Sequence, residues 1–166
     1  MMERVALELQ RTAMKRRDQV DDFDKFGRSA FNRYYYAVFL IVRDLMLEFN
    51  SRWAGSHSSI PEMLRGTVRG EISRFRSAAN KRGNSEQSEA ANRAIAAIHS
   101  LATLMEEANR LRVTADYNPA IRVEDQGGER FALVSTNITE AHQWPSNATL
   151  YVALIQRALR LARGTI

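Results

Sequence analysis

Arg112, Asp116 and Tyr117 are the side chains of this 166-residue chain best placed to do chemistry together. Arg112 and Asp116 are four residues apart, and both continue the apolar inner stripe of a predicted helix over residues 85–115. Since an unpaired buried charge is costly, two inward charges must either pair or line a cleft. In one interpretation they bridge to each other and to polar groups of the second predicted helix. In the other they line a polar cleft to which Tyr117 adds a hydroxyl. The polar groups on the second helix are Ser29, Asn32 and Arg33.

A second candidate group consists of the arginines Arg65, Arg69 and Arg76. Residues 60–82 carry six basic and two acidic side chains, which is most of the formal charge of +5. At about 100° per residue the three arginines fall within about 40° of one another on a helix. Such a stripe suits an RNA phosphate backbone, but basic helix faces are common, and a solvated helix edge is the favoured interpretation. The chain's preference for arginine over lysine also admits two readings, a phosphate-rich partner or arginine-biased codon usage.

Composition narrows the possible functions. The chain has no cysteine, and its three histidines lack zinc-ligand spacing, so we expect neither a metal site nor a cofactor. The longest apolar run, residues 34–42, is about half of a membrane span, and the N-terminus has no signal-peptide pattern. These features predict a cytoplasmic protein without a membrane association.

The elements that must position these residues are mostly helical. Periodicity predicts helices over residues 3–20, 28–53, 59–81 and 85–115, and a last helix starting at or interrupted by Pro145. The acidic segment 21–24 and Gly27 predict a break, Ser59 with Glu62 a capping box, and Ser85 an N-cap. Residues 120–134 predict a small β-hairpin. The expected fold is all-α: a single domain over residues 1–166, an antiparallel bundle of about five helices.

Three segments resemble the HEPN superfamily. Residues 29–39 (SAFNRYYYAVF) are similar to the signature of its central helix, and His57 with the two serines and isoleucine that follow is similar to a later histidine segment. Residues 112–117 (RVTADY) are similar to the Arg-x-x-Ala-Asp-Tyr segment of one branch. The resemblance implies an antiparallel helical bundle, often a homodimer, in a superfamily rich in RNA-cleaving toxins and defence proteins. Many members are encoded beside a nucleotidyltransferase-like partner protein.

The chain departs from the ribonuclease members of that superfamily at the site itself. Those members carry an arginine followed four to six residues later by a histidine, where this chain has Asp116 and Tyr117. Metal-independent cleavage would then use Arg112 for the phosphate and Asp116, Tyr117 or His57 as the base, with Arg33 as an auxiliary residue. We therefore expect an RNA-directed toxin or defence protein, with a non-standard endoribonuclease site. The alternative is a non-catalytic helical module that binds a partner protein, RNA or a nucleotide.

Overall fold

The computed structural model describes residues 2–53 and 55–165, and it confirms an all-α helical bundle with a small β element. Helices and strands are bounded as follows: α1 (Met2–Lys15), α2 (Val20–Phe49), α3 (Ser59–Met63), α4 (Arg69–Lys81), α5 (Ser85–Tyr117), β1 (Val123–Asp125), β2 (Phe131–Leu133), β3 (Thr136–Asn137) and α6 (Ile138–Arg163). A 3-10 turn (Ser51–Trp53) follows α2, and a π-helical segment (Leu64–Val68) joins α3 to α4.

The break between the first two helices lies earlier in the chain than predicted. It falls at residues 16–19, and the prediction of a break over residues 21–27 is wrong. Asp21 and Asp22 occupy the first turn of α2, where acidic side chains complement the helix dipole. Gly27 lies inside α2, and a Cβ there would come within 3.1 Å of both Val123 methyl groups. The glycine therefore allows close packing against the strands and does not end a helix.

Two predicted helix caps are wrong by one residue. Ser58 occupies the N-cap of α3 without a side-chain cap, and the Ser59 hydroxyl instead donates to the Ser56 carbonyl at 3.1 Å. At the start of α5 the cap is formed by Asn84, whose Oδ1 accepts a hydrogen bond from the Gln87 amide at 3.0 Å. Ser85 is the first residue of that helix. Both positions follow the general preference for short polar side chains at helix starts.

The predicted hairpin is present and carries one more strand. β1 pairs antiparallel with β2, in the register Val123 opposite Leu133, and β2 pairs antiparallel with β3. Gly127 and Gly128 make the first turn with positive φ angles of 79° and 63°. The three residues of β2 are fully buried. β3 has two residues, too few for the alternation that marks a strand in a sequence.

Contacts divide the chain into two compact units, and the boundaries fall within α2, α5 and α6. Unit 1 consists of residues up to Leu40 together with Glu107–Ser146. Its core is aromatic: Phe131 lies edge to face with Phe31, with ring centroids 5.9 Å apart. The buried Tyr34 hydroxyl donates to Gln10 Oε1 at 2.8 Å. Burial raises the pKa of that phenol well above its ordinary range.

Unit 2 consists of Ile41–Glu106 and the chain from Asn147 onward. Its core is mostly aliphatic, with Trp53 and Phe75 also buried, and its largest fully buried side chains are Met46, Ile60, Leu64, Ile72, Ile98, Leu101 and Met105. The last helix begins at Ile138, seven residues before Pro145, which lies inside α6. Asn137 caps it by accepting a hydrogen bond from the Thr139 amide at 2.9 Å. The single domain over residues 1–166 stays a prediction.

Candidate functional site

The predicted Arg112–Asp116 pair is present in the last turns of α5. Arg112 Nε lies 3.0 Å from Asp116 Oδ2, and the two side chains are 19% and 29% exposed. That Nε makes no hydrogen bond to a described residue, so the contact is an ion pair without an aligned N–H. Asp116 Oδ1 accepts a hydrogen bond from Asn32 Nδ2 at 2.6 Å. Of the three polar groups suggested by the sequence, Asn32 is therefore the one that contacts the pair.

Two tyrosines complete the surroundings of Arg112. Burial disfavours the charged guanidinium, but a hydrogen bond to Tyr36 and the negative charge of Asp116 outweigh it and raise the pKa of Arg112. The guanidinium carbon also lies 5.7 Å from the centroid of the Tyr117 ring, a cation–π distance. Tyr117 itself is 68% exposed. Arg112 is thus a permanent cation held by a carboxylate and two aromatic side chains.

A polar cleft of about 610 Å³ opens beside this pair within unit 1. The first half of α2 forms one wall, and the end of α5 with the segment leading to β1 forms the other. Its lining residues are Asp21, Asp24, Lys25, Arg28, Ser29, Asn32, Arg33, Ala115, Asp116, Pro119 and Arg122. Two predicted site residues line the cleft, Arg33 on the α2 wall and Asp116 on the α5 wall. Arg112 lies next to the cleft through its contact with Asp116.

Arg28 is a central residue of the cleft that the sequence analysis did not single out. It is 9% exposed and donates hydrogen bonds to the carbonyl oxygens of Thr114, Ala115, Asn118 and Ile121. The last carbonyls of a helix lack partners within it, and a cation there is favoured by the dipole. Arg28 therefore caps the C-terminus of α5 from α2. Its position on the buried face of α2, three residues before Phe31, was the available signal.

Most charges in the cleft are already paired, and two are not. Arg122 Nη1 lies 3.1 Å from Asp21 Oδ1, and Asp24 Oδ1 accepts a hydrogen bond from the Val123 amide at 2.8 Å. Lys25 and Arg33 are exposed and form no ion pair with any residue that the structure describes. The Arg33 guanidinium lies 5.9 Å from the Tyr36 ring centroid. These two cations are the ones available to an anionic ligand.

The three arginines of the predicted stripe, Arg65, Arg69 and Arg76, lie in unit 2 but do not form one continuous surface. Arg65 forms a bidentate ion pair with Glu106, which raises the pKa of Arg65 and lowers that of Glu106. Arg76 donates to Asn92 Oδ1 at 3.1 Å. Arg65 and Arg69 line a groove of about 330 Å³ with His99, and Arg76 is not part of that lining. The π-helical segment between Arg65 and Arg69 also invalidates the angle counted at 100° per residue, because its hydrogen bonds run from i to i+5.

His57 lies in the turn before α3 and belongs to unit 2. The structure therefore does not bring it into the lining of the cleft in unit 1. The imidazole that the sequence analysis offered as a base is absent from that lining. Asp116 is the only one of the three suggested bases, Asp116, Tyr117 and His57, that lines the cleft.

Comparisons of the chain with protein-family models, with curated proteins and with solved structures give no match. The described residues include no cluster of three or more histidine, aspartate or glutamate side chains placed to hold a metal ion. Over the same residues, no helix is long and apolar enough to cross a membrane.

Proposed function

We propose that the protein is an RNA-directed HEPN-like domain that binds a phosphate-bearing segment of RNA in the polar cleft of unit 1. The observation that carries this is the pair of exposed cations, Lys25 and Arg33, which have no acidic partner among the described residues. Phosphate contacts from Lys and Arg supply most of the affinity of non-specific RNA binding. The Ser29 hydroxyl and the Asn32 amide line the same cleft and add hydrogen-bonding groups.

The biological role that we propose is that of a toxin or defence protein. It is supported by the resemblance of residues 29–39 and 112–117 to the HEPN superfamily. The same resemblance supports a homodimer and a nucleotidyltransferase-like partner protein as further parts of the proposal. The cytoplasm is the compartment in which such a protein would meet its RNA.

Binding is better supported by the geometry than cleavage. Metal-independent cleavage requires a base at the 2′-hydroxyl and a cation at the scissile phosphate. Asp116 is held by Arg112 and Asn32, so its carboxylate already has two partners and Arg112 is already neutralised. An incoming RNA would have to displace these contacts before either side chain could react. A binding role requires no such change.

An endoribonuclease remains the second candidate because Arg112, Asp116 and Tyr117 contact one another beside an open cleft. Its test is incubation of purified protein with total tRNA and mRNA in the absence of metal, followed by gel electrophoresis. Cleavage that disappears in Arg112→Ala, with an unchanged circular dichroism spectrum, supports the nuclease. Intact RNA, or full activity in that variant, removes these three residues as a catalytic site.

The binding proposal is tested by fluorescence anisotropy with a labelled single-stranded RNA over a range of KCl concentrations. The double variant Lys25→Gln with Arg33→Gln is expected to bind about tenfold more weakly and to lower the salt slope by about 1.4, since each lost contact to a single strand removes about 0.7. The matched control is Arg69→Gln, which removes an exposed arginine in unit 2 and should leave binding unchanged.

Two results would overturn the binding proposal. One is the absence of RNA binding by the unaltered protein at low salt. The other is a loss of affinity in Arg69→Gln with none in the double variant, which would assign RNA binding to the arginine stripe instead.

A further inference from the structure

Tyr117 combines high exposure with a fixed position. It is the last residue of α5, and 68% of its surface is exposed. Its hydroxyl makes no hydrogen bond to a residue that the structure describes, so the polar end of the side chain does not explain its placement. Val113, one turn earlier on the same helix face, is also 38% exposed. The end of α5 thus presents an aromatic ring beside an apolar side chain.

Arg112 holds this ring from one side. Its guanidinium carbon lies 5.7 Å from the ring centroid, and it is itself held by Asp116 and Tyr36. A cation over an aromatic ring is attracted to the π face, so this contact restricts the rotation of the Tyr117 side chain. Because most of the residue is exposed, the rest of the ring surface faces solvent. A restricted ring loses less conformational entropy when a flat ligand packs on it.

Tyr117 is also close in the chain to residues that line the proposed RNA-binding cleft. Asp116 directly precedes it and Pro119 is two residues after it, and both line the cleft, which contains the unpaired cations Lys25 and Arg33. A surface that binds a single strand has two parts: cations that contact the phosphate backbone, and an aromatic ring on which a base stacks. Bases in a duplex are already stacked on each other and do not expose a face to such a ring.

We propose that Tyr117 is a stacking platform for an unpaired base of the RNA whose phosphates occupy the cleft, which makes single-stranded RNA the ligand class. The inference rests on the proposed function, since the stacked base is anchored by phosphates in the cleft. It assigns the role of Tyr117 to its ring and not to its hydroxyl.

The experiment compares Tyr117→Ala, Tyr117→Phe and the control Val113→Ala in anisotropy measurements with single-stranded RNA. Stacking is worth about 1–3 kcal/mol per base, so Tyr117→Ala should weaken binding by about 5- to 150-fold. Tyr117→Phe keeps the ring and should stay within about twofold of the unaltered protein, as should Val113→Ala. Inorganic polyphosphate, which has no bases, is used as a competitor of the RNA. Its affinity should be the same for the unaltered protein and for the three variants.

The outcomes separate this inference from the proposal on which it rests. If the unaltered protein binds single-stranded RNA and Tyr117→Ala binds it equally well, the stacking role is wrong and the cleft proposal stands. Equal losses in Tyr117→Phe and Tyr117→Ala would assign the effect to the hydroxyl, and weaker polyphosphate binding in Tyr117→Ala would assign it to the shape of the cleft. A preference of the unaltered protein for duplex RNA also overturns the inference. If the unaltered protein binds no RNA, both proposals fail together.

Discussion

The chain has 21 arginines, but replacing Arg28 alone by methionine is expected to destabilise the protein strongly. Its guanidinium makes five hydrogen bonds to four carbonyl oxygens, two in the last turn of α5 and two in the segment that follows it. Two of these carbonyls belong to the buried residues Thr114 and Ala115, and the other two belong to exposed residues that water can reach. Methionine fills a similar volume and offers no donor, so the two buried carbonyls lose this hydrogen-bond donor.

The size of the effect follows from the Ala115 carbonyl. The Thr114 carbonyl keeps a hydrogen bond from the Asn118 amide, whereas the residue four positions after Ala115 is Pro119, which has no N–H to donate. A buried acceptor left without a partner costs about 1–3 kcal/mol, which puts the loss near 2 kcal/mol. Domains of this size have a free energy of unfolding of about 5–15 kcal/mol, so the loss is a substantial part of the total. With a urea m-value of about 2 kcal/mol/M, the midpoint of unfolding should fall by about 1 M.

The assay is urea unfolding followed by circular dichroism, with Arg33→Met as the matched control. Arg33 lies on the same helix and is exposed, so its replacement should cost less than about 0.5 kcal/mol. Amide hydrogen exchange adds a local measurement at Asn118 and Ile121, whose N–H groups donate to Thr114 O and Asn118 O. Equal midpoints for the two variants, or unchanged exchange at both amides, would refute the capping role of Arg28.

Two further predictions test the packing of α2 and the segment around the sheet. Gly27→Ala places a Cβ 3.1 Å from the Val123 methyl groups and should lower the thermal midpoint of unfolding measured by calorimetry. The comparison is Gly70→Ala, where the nearest atom to the new Cβ is Arg74 Nη1 at 3.8 Å, and this variant should be more stable by about 0.5–1 kcal/mol. A higher midpoint for Gly27→Ala contradicts the close packing. Hydrogen bonds from Arg17 and the Gly127 amide lower the pKa of Asp125 below its ordinary value of 3.8, so their stabilising effect is present above that value and is lost as the pH falls through the lowered pKa. A carboxyl titration by NMR should show this shift and its partial loss in Arg17→Met; an unchanged titration in that variant would exclude the Arg17 contact as a cause.

The helices were predictable where their signal was local. The apolar centre of α2 is buried except for the half-buried Tyr36, Leu40 and Ile41, and the inner stripe of α5 is buried except for the half-buried Ile95. The start of α2 was not predictable, because aspartates favour both a break between helices and the first turn of a helix. Gly27 misled for a different reason, since the side chain it accommodates, Val123, is 96 residues further along the chain and is invisible to local rules.

The same distinction applies to the site. Arg112 and Asp116 were predictable as a pair because their spacing of four and their inward placement lie within one helix. Arg28 was missed because its acceptors lie 86 to 93 residues away, at the end of another helix. Whether Lys25 and Arg33 form ion pairs likewise depends on which acidic side chains pack near them in the fold, and this could not be predicted from the sequence.

The location of an anion site depends on unpaired cations and not on the sum of charges. Residues 60–82 carry the largest excess of basic residues, and Arg65 in that segment is neutralised by Glu106, whereas Arg74 and Lys81 form no ion pair with a described residue. A phosphate that binds Arg65 must displace this carboxylate, so the exchange gains little. Lys25 and Arg33 require no such exchange, and the cleft that they line with hydrogen-bonding groups has about 610 Å³, against about 360 Å³ for the groove lined by Arg74 and Lys81. Arg69 is also exposed and without an ion-pair partner among the described residues. The control for the cleft variants is therefore Arg69→Gln and not a substitution of Arg65, because Arg65 is already paired with Glu106.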